Sequence, residues 1–299
     1  MDMFVQLLIS GILVGSVYGL IALGFVLVYK ASGILNLAQG ELVMIGAYLC
    51  YTGVSVINLP VVLAFLFTFA ISGIIGVTIS RVTIRPLVGQ PLLSIIMMTI
   101  VLSIALRGIS ILAWGAETKG LSVFGDRDFN LVGAVISEHS IWACGLSLLA
   151  VIVFALYFQR TKGGRAMRAV AEDQQAAQSV GIKVLSVFDN SWLIAAVVGA
   201  LGGILLASSS GVSTDLSHLG LKVLPVVLLG GLESIRGAII GGIIIGVAEN
   251  MAVGYLDPIV SDWGLVGGGL RNVFPYVLAL VFLVIRPYGL FGQKRIERI

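Results

Sequence analysis

Residues 15–48, GSVYGLIALGFVLVYKASGILNLAQGELVMIGAY, decide the fold. They hold two apolar runs with a short polar break between them. The first run, joined to what precedes it, reads as a helix near 4–29, long enough to cross ~30 Å of hydrocarbon at about 1.5 Å per residue. The second, near 34–53, is apolar except for Asn36, Gln39, Gly40 and Glu41, which fall within six residues. A carboxylate inside a bilayer costs roughly 2.5–3.5 kcal/mol on insertion scales, so such a group faces protein or a wet cavity. Gly33 and Gly40 allow a broken or kinked helix whose freed backbone groups these side chains can satisfy. Discontinuous helices of this kind border translocation paths in transporters, which makes Asn36, Gln39 and Glu41 path candidates. The competing reading is that they only tie helices together by hydrogen bonds.

Outward from this stretch the same composition continues. Of 299 residues, 58% are hydrophobic and 11% charged, and mean hydropathy is +1.08. A soluble domain carries roughly a quarter charged residues, so this chain has too little polar surface to stay hydrated as a compact body. No stretch shows the ten-residue alternation of an outer-membrane barrel. The N-terminus lacks a basic leader region and reads as a first membrane helix, not a cleaved signal. Further spans are predicted near 59–80, 92–113, 140–158, 189–210, 238–256 and 271–286. A piece near 219–231 is too short to cross alone and suits a re-entrant or broken segment. The expectation is an all-α polytopic membrane protein with eight helices, nine if 219–231 crosses, forming one domain over 1–299.

Alternating the spans, with 219–231 counted as a crossing, places Lys30, Arg81, Arg85, Arg160, Lys162, Arg165, Arg168, Lys183, Arg236, Arg286, Lys294, Arg295 and Arg298 on one side. That is 13 of the 18 basic residues, against Lys119 and Arg127 in the opposite loops. Positive loops stay inside, which predicts an external N-terminus and a cytoplasmic C-terminus. The longest inner loop, 160–184, is rich in helix formers from Arg165 to Val180, with Gly181 as a C-cap. Ala166, Ala169, Val170, Ala176, Ala177 and Val180 can share one small-residue face, leaving Arg165, Arg168, Glu172, Asp173 and Gln175 on its flanks. Such a helix suits docking in a groove on another protein, or is simply a solvated loop helix. The outer loop 114–139, with Glu117, Asp126, Asp128 and Glu138, suggests a cap or an external contact and no chemistry.

Two later clusters stand out. Gly230, Gly231 and Gly237 predict a tight turn between a half-helix and the next span, with Glu233 and Arg236 at i, i+3. Glu249 is a buried acid that can sit at the path or pair with Arg107 or Arg271. Each half of the chain has a Gly-rich span followed by a short segment bearing glycines and an acid, a faint internal symmetry. Cys50, Cys144, His139 and His218 suggest no disulfide, redox pair or metal site. No phosphate loop is present, so the chain is not an ATPase of that type; no His–Glu–His motif, Ser–His–Asp set or redox Cys pair calls for an enzyme, and nothing calls for a nucleic acid.

The stretch 15–48 resembles the first two spans of LivH-type permeases of bacterial branched-chain amino-acid ABC importers. GRAMRAVAEDQQAAQSVGI, 164–182, is similar to their cytoplasmic coupling segment, LGGLESIRGAIIGGIIIGVAE, 229–249, to their late Gly-rich signature, and RPYGLFGQKRIERI to their basic tail. The likeness spans the chain, departing at Glu233 where that signature usually has Gly. It implies a pore-forming inner-membrane permease paired with a homologous second permease, two cytoplasmic ATPases that bind ATP and Mg, and a periplasmic binding protein. Arg165, Arg168, Glu172, Asp173, Ala176 and Ala177 would then lie in the coupling helix within 160–184. Expected solutes are branched-chain or other neutral amino acids, with urea or short amides next. A secondary transporter using Glu41 and Glu249 as proton or cation sites is the alternative of a different class.

Overall fold

The computed structural model describes residues 2–125, 127–131, 134–262 and 269–292; Asp126 of the outer loop and the tail cations Lys294, Arg295 and Arg298 lie outside them. The chain runs through α1 (Asp2–Ser32), α2 (Gln39–Tyr51, extended by a π turn to Val56), α3 (Val61–Ile79, continued by irregular helical turns to Leu87) and α4 (Leu92–Trp114). A hairpin of β1 (Asp128–Leu131) and β2 (Ala134–Ser137) precedes α5 (Glu138–Arg160), α6 (Lys162–Glu172) and α7 (Gln174–Ser179). Then come α8 (Val184–Ser210), α9 (Leu216–Leu221), α10 (Val223–Gly230), α11 (Ile235–Asp262) and α12 (Leu270–Ile285). Six of these, α1, α3, α4, α5, α8 and α11, are long and apolar enough to cross a membrane. The fold is the expected all-α, multi-pass architecture, and every span read from the sequence contains a helix, the one near 34–53 starting only at Gln39. The short piece 219–231 is the α9–α10 pair.

Close backbone packing holds the bundle together, as it must where lipid tails are as apolar as the helices and burial alone gives no drive. Gly11, Gly15 and Gly19 recur every fourth residue on α1 and meet Gly242 and Gly246 on α11. A Cβ at Gly15 would stand 2.7 Å from the Gly242 carbonyl oxygen, and one at Gly246 would stand 2.5 Å from Gly15 Cα. On α8, Gly203 lets the Val43 carbonyl of α2 come so near that a Cβ would fall 1.9 Å from it. These contacts make α1 and α8 the buried axis of the molecule. α4 and α5 keep mostly exposed apolar flanks, Leu112 being 89% exposed, as suits helices that meet lipid or another chain.

Contacts between helix ends define two faces. On one, Lys30, Arg168, Glu233, Arg236 and Phe291 line a common hollow, and Leu290 donates its backbone N–H to Leu229. On the other, Trp114 Nε1 donates to Thr52 Oγ1 (2.8 Å) and Lys119 pairs with Val212 through backbone hydrogen bonds. Between these faces two passes are broken. The chain leaves α1 at Gly33, whose φ of +71° suits glycine, and stays non-helical through Ala38. The break therefore contains Asn36 and ends just before Gln39, so Gly40 lies inside α2. Its missing side chain instead admits the Ser217 carbonyl oxygen of α9, 2.2 Å from where a Cβ would be. Gly220 also abuts Gly40, so the two broken passes touch backbone to backbone inside the bundle.

Candidate translocation and coupling sites

The break before α2 is held by its own polar residues. Asn36 Oδ1 accepts from the Ala38 N–H (3.1 Å), a local side-chain turn, while Asn36 Nδ2 donates to Gln39 Oε1 (3.1 Å). Gln39 Nε2 reaches across to the Ala195 carbonyl of α8 (3.2 Å). Both side chains are buried; Asn36 satisfies a backbone group that the break leaves open, and Gln39 ties the break to α8.

One turn on, Glu41 enters a second network. Its Oε1 accepts from Ser103 Oγ of α4 (2.8 Å) and lies 3.3 Å from Arg107 Nη2. Arg107 also donates to Ser217 Oγ and, through Nη1, to His218 Nε2 (3.3 Å), so α2, α4 and α9 converge on one guanidinium. Glu41 is buried, yet the Arg107 side chain is 31% exposed. Three buried polar atoms near this network have no hydrogen-bond partner among the described residues: Glu41 Oε2, Arg107 Nε and the Tyr48 hydroxyl two turns along α2. Each such atom costs about 1–3 kcal/mol unless water or a solute satisfies it.

Glu249 of α11 sits in a third network. Arg271 Nε of α12 donates to Glu249 Oε1 (3.1 Å), Lys222 Nζ approaches the same oxygen (3.5 Å), and the Tyr18 hydroxyl lies beside it. Of the two cations offered by the sequence, Arg271 is its partner; Arg107 belongs to Glu41.

The segment 165–180 is two helices. Asp173 leaves helical geometry (φ −155°, ψ 112°) and its Oδ1 accepts from the Gln175 and Ala176 N–H groups (2.8 and 3.0 Å), starting α7 afresh. Gly181 follows α7 at φ +85°, the position expected for it. The small-residue face is split by this break. Val170 and Ala177 are buried against the bundle, with Ala166 and Ala169 half-buried, while Ala176 and Val180 face solvent beside Arg165, Glu172, Asp173 and Gln175. Arg168 also departs from a loosely solvated role. It donates to the Phe158 and Gln159 carbonyls and stacks on the Phe158 ring (5.4 Å), capping the C-terminus of α5.

At the late turn Gly231 has φ +103° and Gly230 packs on Gly237, where a Cβ would lie 2.2 Å from the Gly237 carbonyl oxygen. Ser234 Oγ accepts from the Gly237 N–H (3.0 Å) at the start of α11. Glu233 adopts no positive φ, so the turn tolerates a side chain there. One site escaped the sequence reading. Asp189 on α8 accepts from Ser80 Oγ (2.7 Å), Arg81 Nε (3.0 Å) and both donor groups of Arg85, fastening the end of α3 to the start of α8. Its signal was a lone acid at the mouth of one span and two arginines four apart at the mouth of another.

Broken passes, buried charge pairs and a charged helical surface at one face define a polytopic transport protein. Residues 7–285 match the family "Branched-chain amino acid transport system / permease component", and the chain belongs to that family. It is 30% identical to the high-affinity branched-chain amino acid transport system permease protein BraD of Pseudomonas aeruginosa, over 99% of this chain and 98% of that one. It is 29% identical to LivH of Escherichia coli K12 over the same shares, and 28% to a probable LivH of Methanocaldococcus jannaschii over 100% and 96%.

Proposed function

We propose that this chain is the permease subunit of an ATP-driven importer that carries branched-chain or other neutral amino acids inwards. The observation that carries the reading is kinship over essentially the full length with permeases named for branched-chain amino acid transport. It works beside a homologous second permease in a heterodimer, with two ATPase subunits that bind ATP and Mg and a periplasmic solute-binding protein. ATP is bound by those partner subunits, since this sequence carries no phosphate-loop motif. It lies in the inner membrane with the N-terminus outside and the C-terminus in the cytoplasm, because the basic residues from Lys30 to Arg286 crowd one side.

The ATPases engage α6–α7. The exposure of Arg165, Glu172, Asp173 and Ala176 supports contact by those residues, whereas Arg168 and Ala177 act by fixing the pair to the bundle. Asn36 and Gln39 shape the break beside the route, and Glu41 and Arg107 stand on it; the turn of Gly230, Gly231 and Gly237 hinges α10 on α11. A cation-coupled carrier is disfavoured, since Glu41 and Glu249 each already have protein cations within 3.5 Å. The test is affinity purification of the full complex from membranes, wild type against an Arg165→Glu, Glu172→Lys double variant, together with leucine uptake. Two ATPases and a second permease should come down with the wild type, and the variant should lose the ATPases. Purification of the chain alone in both forms, with leucine uptake intact, would overturn the importer.

A further inference from the structure

A cation about two turns below the Trp114 end of α4 is a costly thing to leave part-exposed in a membrane. Arg107 could snorkel to the nearer face, yet its guanidinium turns sideways to Glu41, Ser217 and His218. The surface it reaches is polar. His218 is exposed, and so is Asp215 one turn earlier on the same side of α9. The Tyr48 ring stacks on Trp114 (5.1 Å between centroids), and Tyr48 lies within electrostatic reach of Asp215. Arg107 Nε, Glu41 Oε2 and the Tyr48 hydroxyl are buried without a hydrogen-bond partner among the described residues, a deficit that lipid cannot relieve and that a polar group entering beside them would.

We propose that Arg107, backed by Glu41 and flanked by Tyr48, Asp215 and His218, is a solute station in the outer part of the route that receives the carboxylate of a zwitterionic solute. Glu41 neutralises the guanidinium from behind and fixes its plane, so the solute carboxylate completes a second side of the fork. Asp215 supplies the opposite charge for the ammonium group. A site so arranged handles an amino acid and gives nothing comparable to an uncharged urea or amide. This inference rests on the amino-acid import reading and deepens it.

The experiment places a reporter thiol at His218→Cys, with Cys50→Ala and Cys144→Ala, in membranes containing the whole transporter. The rates of reaction with anionic and cationic methanethiosulfonate reagents are then compared. The thiol should react with both, because the face is wet. Arg107→Gln should lower the anionic-to-cationic rate ratio about tenfold, the effect of one unit charge at ~6 Å in water acting on two reagents of opposite sign. Asp215→Asn should raise it. Millimolar leucine should slow the reaction, and leucinamide, which lacks the carboxylate, should not. A thiol at 218 that never reacts, or a ratio indifferent to Arg107→Gln, would overturn the station. Protection by leucinamide equal to that by leucine would overturn the carboxylate assignment. Uptake gives an independent arm in which Arg107→Gln loses at least tenfold at equal complex assembly, and undiminished uptake by that variant would overturn the station. A wild type without leucine uptake would count against the import reading itself, whatever the thiol does.

Discussion

Replacing Gly15 by Ala tests what holds the bundle. The added Cβ would lie 2.7 Å from the Gly242 carbonyl oxygen and 2.8 Å from Ile243 Cα, where ordinary contact begins near 3.4 Å. Both near atoms are backbone, so α1 and α11 must part by roughly 0.6 Å, and a gap of that size forfeits about a quarter of the attraction between each facing atom pair. At about 0.1–0.2 kcal/mol per pair over a few tens of pairs, with residual strain, the cost is about 2 kcal/mol, within the range for overpacked cores. Alanine returns up to about 1 kcal/mol through helix propensity, so the control is Gly145→Ala on α5, where nothing lies within 4 Å and only that gain operates. The two alanine variants should therefore differ by about 2 kcal/mol, close to 30-fold in unfolding equilibrium. Denaturation of the purified protein by increasing SDS in mild detergent, followed by circular dichroism, reads this directly. Equal midpoints for the two variants would refute the claim that backbone contact between α1 and α11 organises the fold.

Other substitutions separate anchoring from contact. Arg168→Glu should lower the midpoint of the same titration by removing the cap on α5, whereas Glu172→Lys should leave it unchanged and weaken only recovery of the ATPases. Asp189→Asn keeps shape but strips the charge that Arg81 and Arg85 share. A loss of about 1.5–3 kcal/mol, typical of charged hydrogen bonds, should appear as faster amide exchange near residues 80–87. Gly231→Ala should destabilise by more than about 1 kcal/mol, because φ is +103° and the Gly292 N–H stands 2.7 Å from the new Cβ; unchanged thermal stability would contradict that geometry.

The spans were legible because hydropathy over nineteen residues is a one-dimensional signal, and the break near Gly33 because polar residues in an apolar run have few other uses. Pairing between helices was not. Glu41 meets Arg107 and Ser103, the latter 62 positions away, and Glu249 meets Arg271, 22 positions away, through folding that no local pattern records. The single helix expected over 165–180 failed at Asp173, whose short side chain competes for the backbone N–H groups of the next turn. The small residues 166–177 did signal packing, but mostly against this bundle. The hairpin 128–137 is too short for its alternation to stand out from loop.

Arg168 ties α6 to the last carbonyls of α5, and α7 leads within a few residues into α8. A force on that surface therefore reaches the ends of long rods. α8 rests on α2 where Gly199 and Gly203 meet Leu42 and Val43, some 15–19 residues from its start and 7–11 from its finish. It is a lever with unequal arms of roughly 25 and 13 Å at 1.5 Å per residue. A push of about 2 Å at the basic face returns about 1 Å in the opposite sense at the far face. The fulcrum sits beside Gln39, so the broken pass next to it feels torque with little translation.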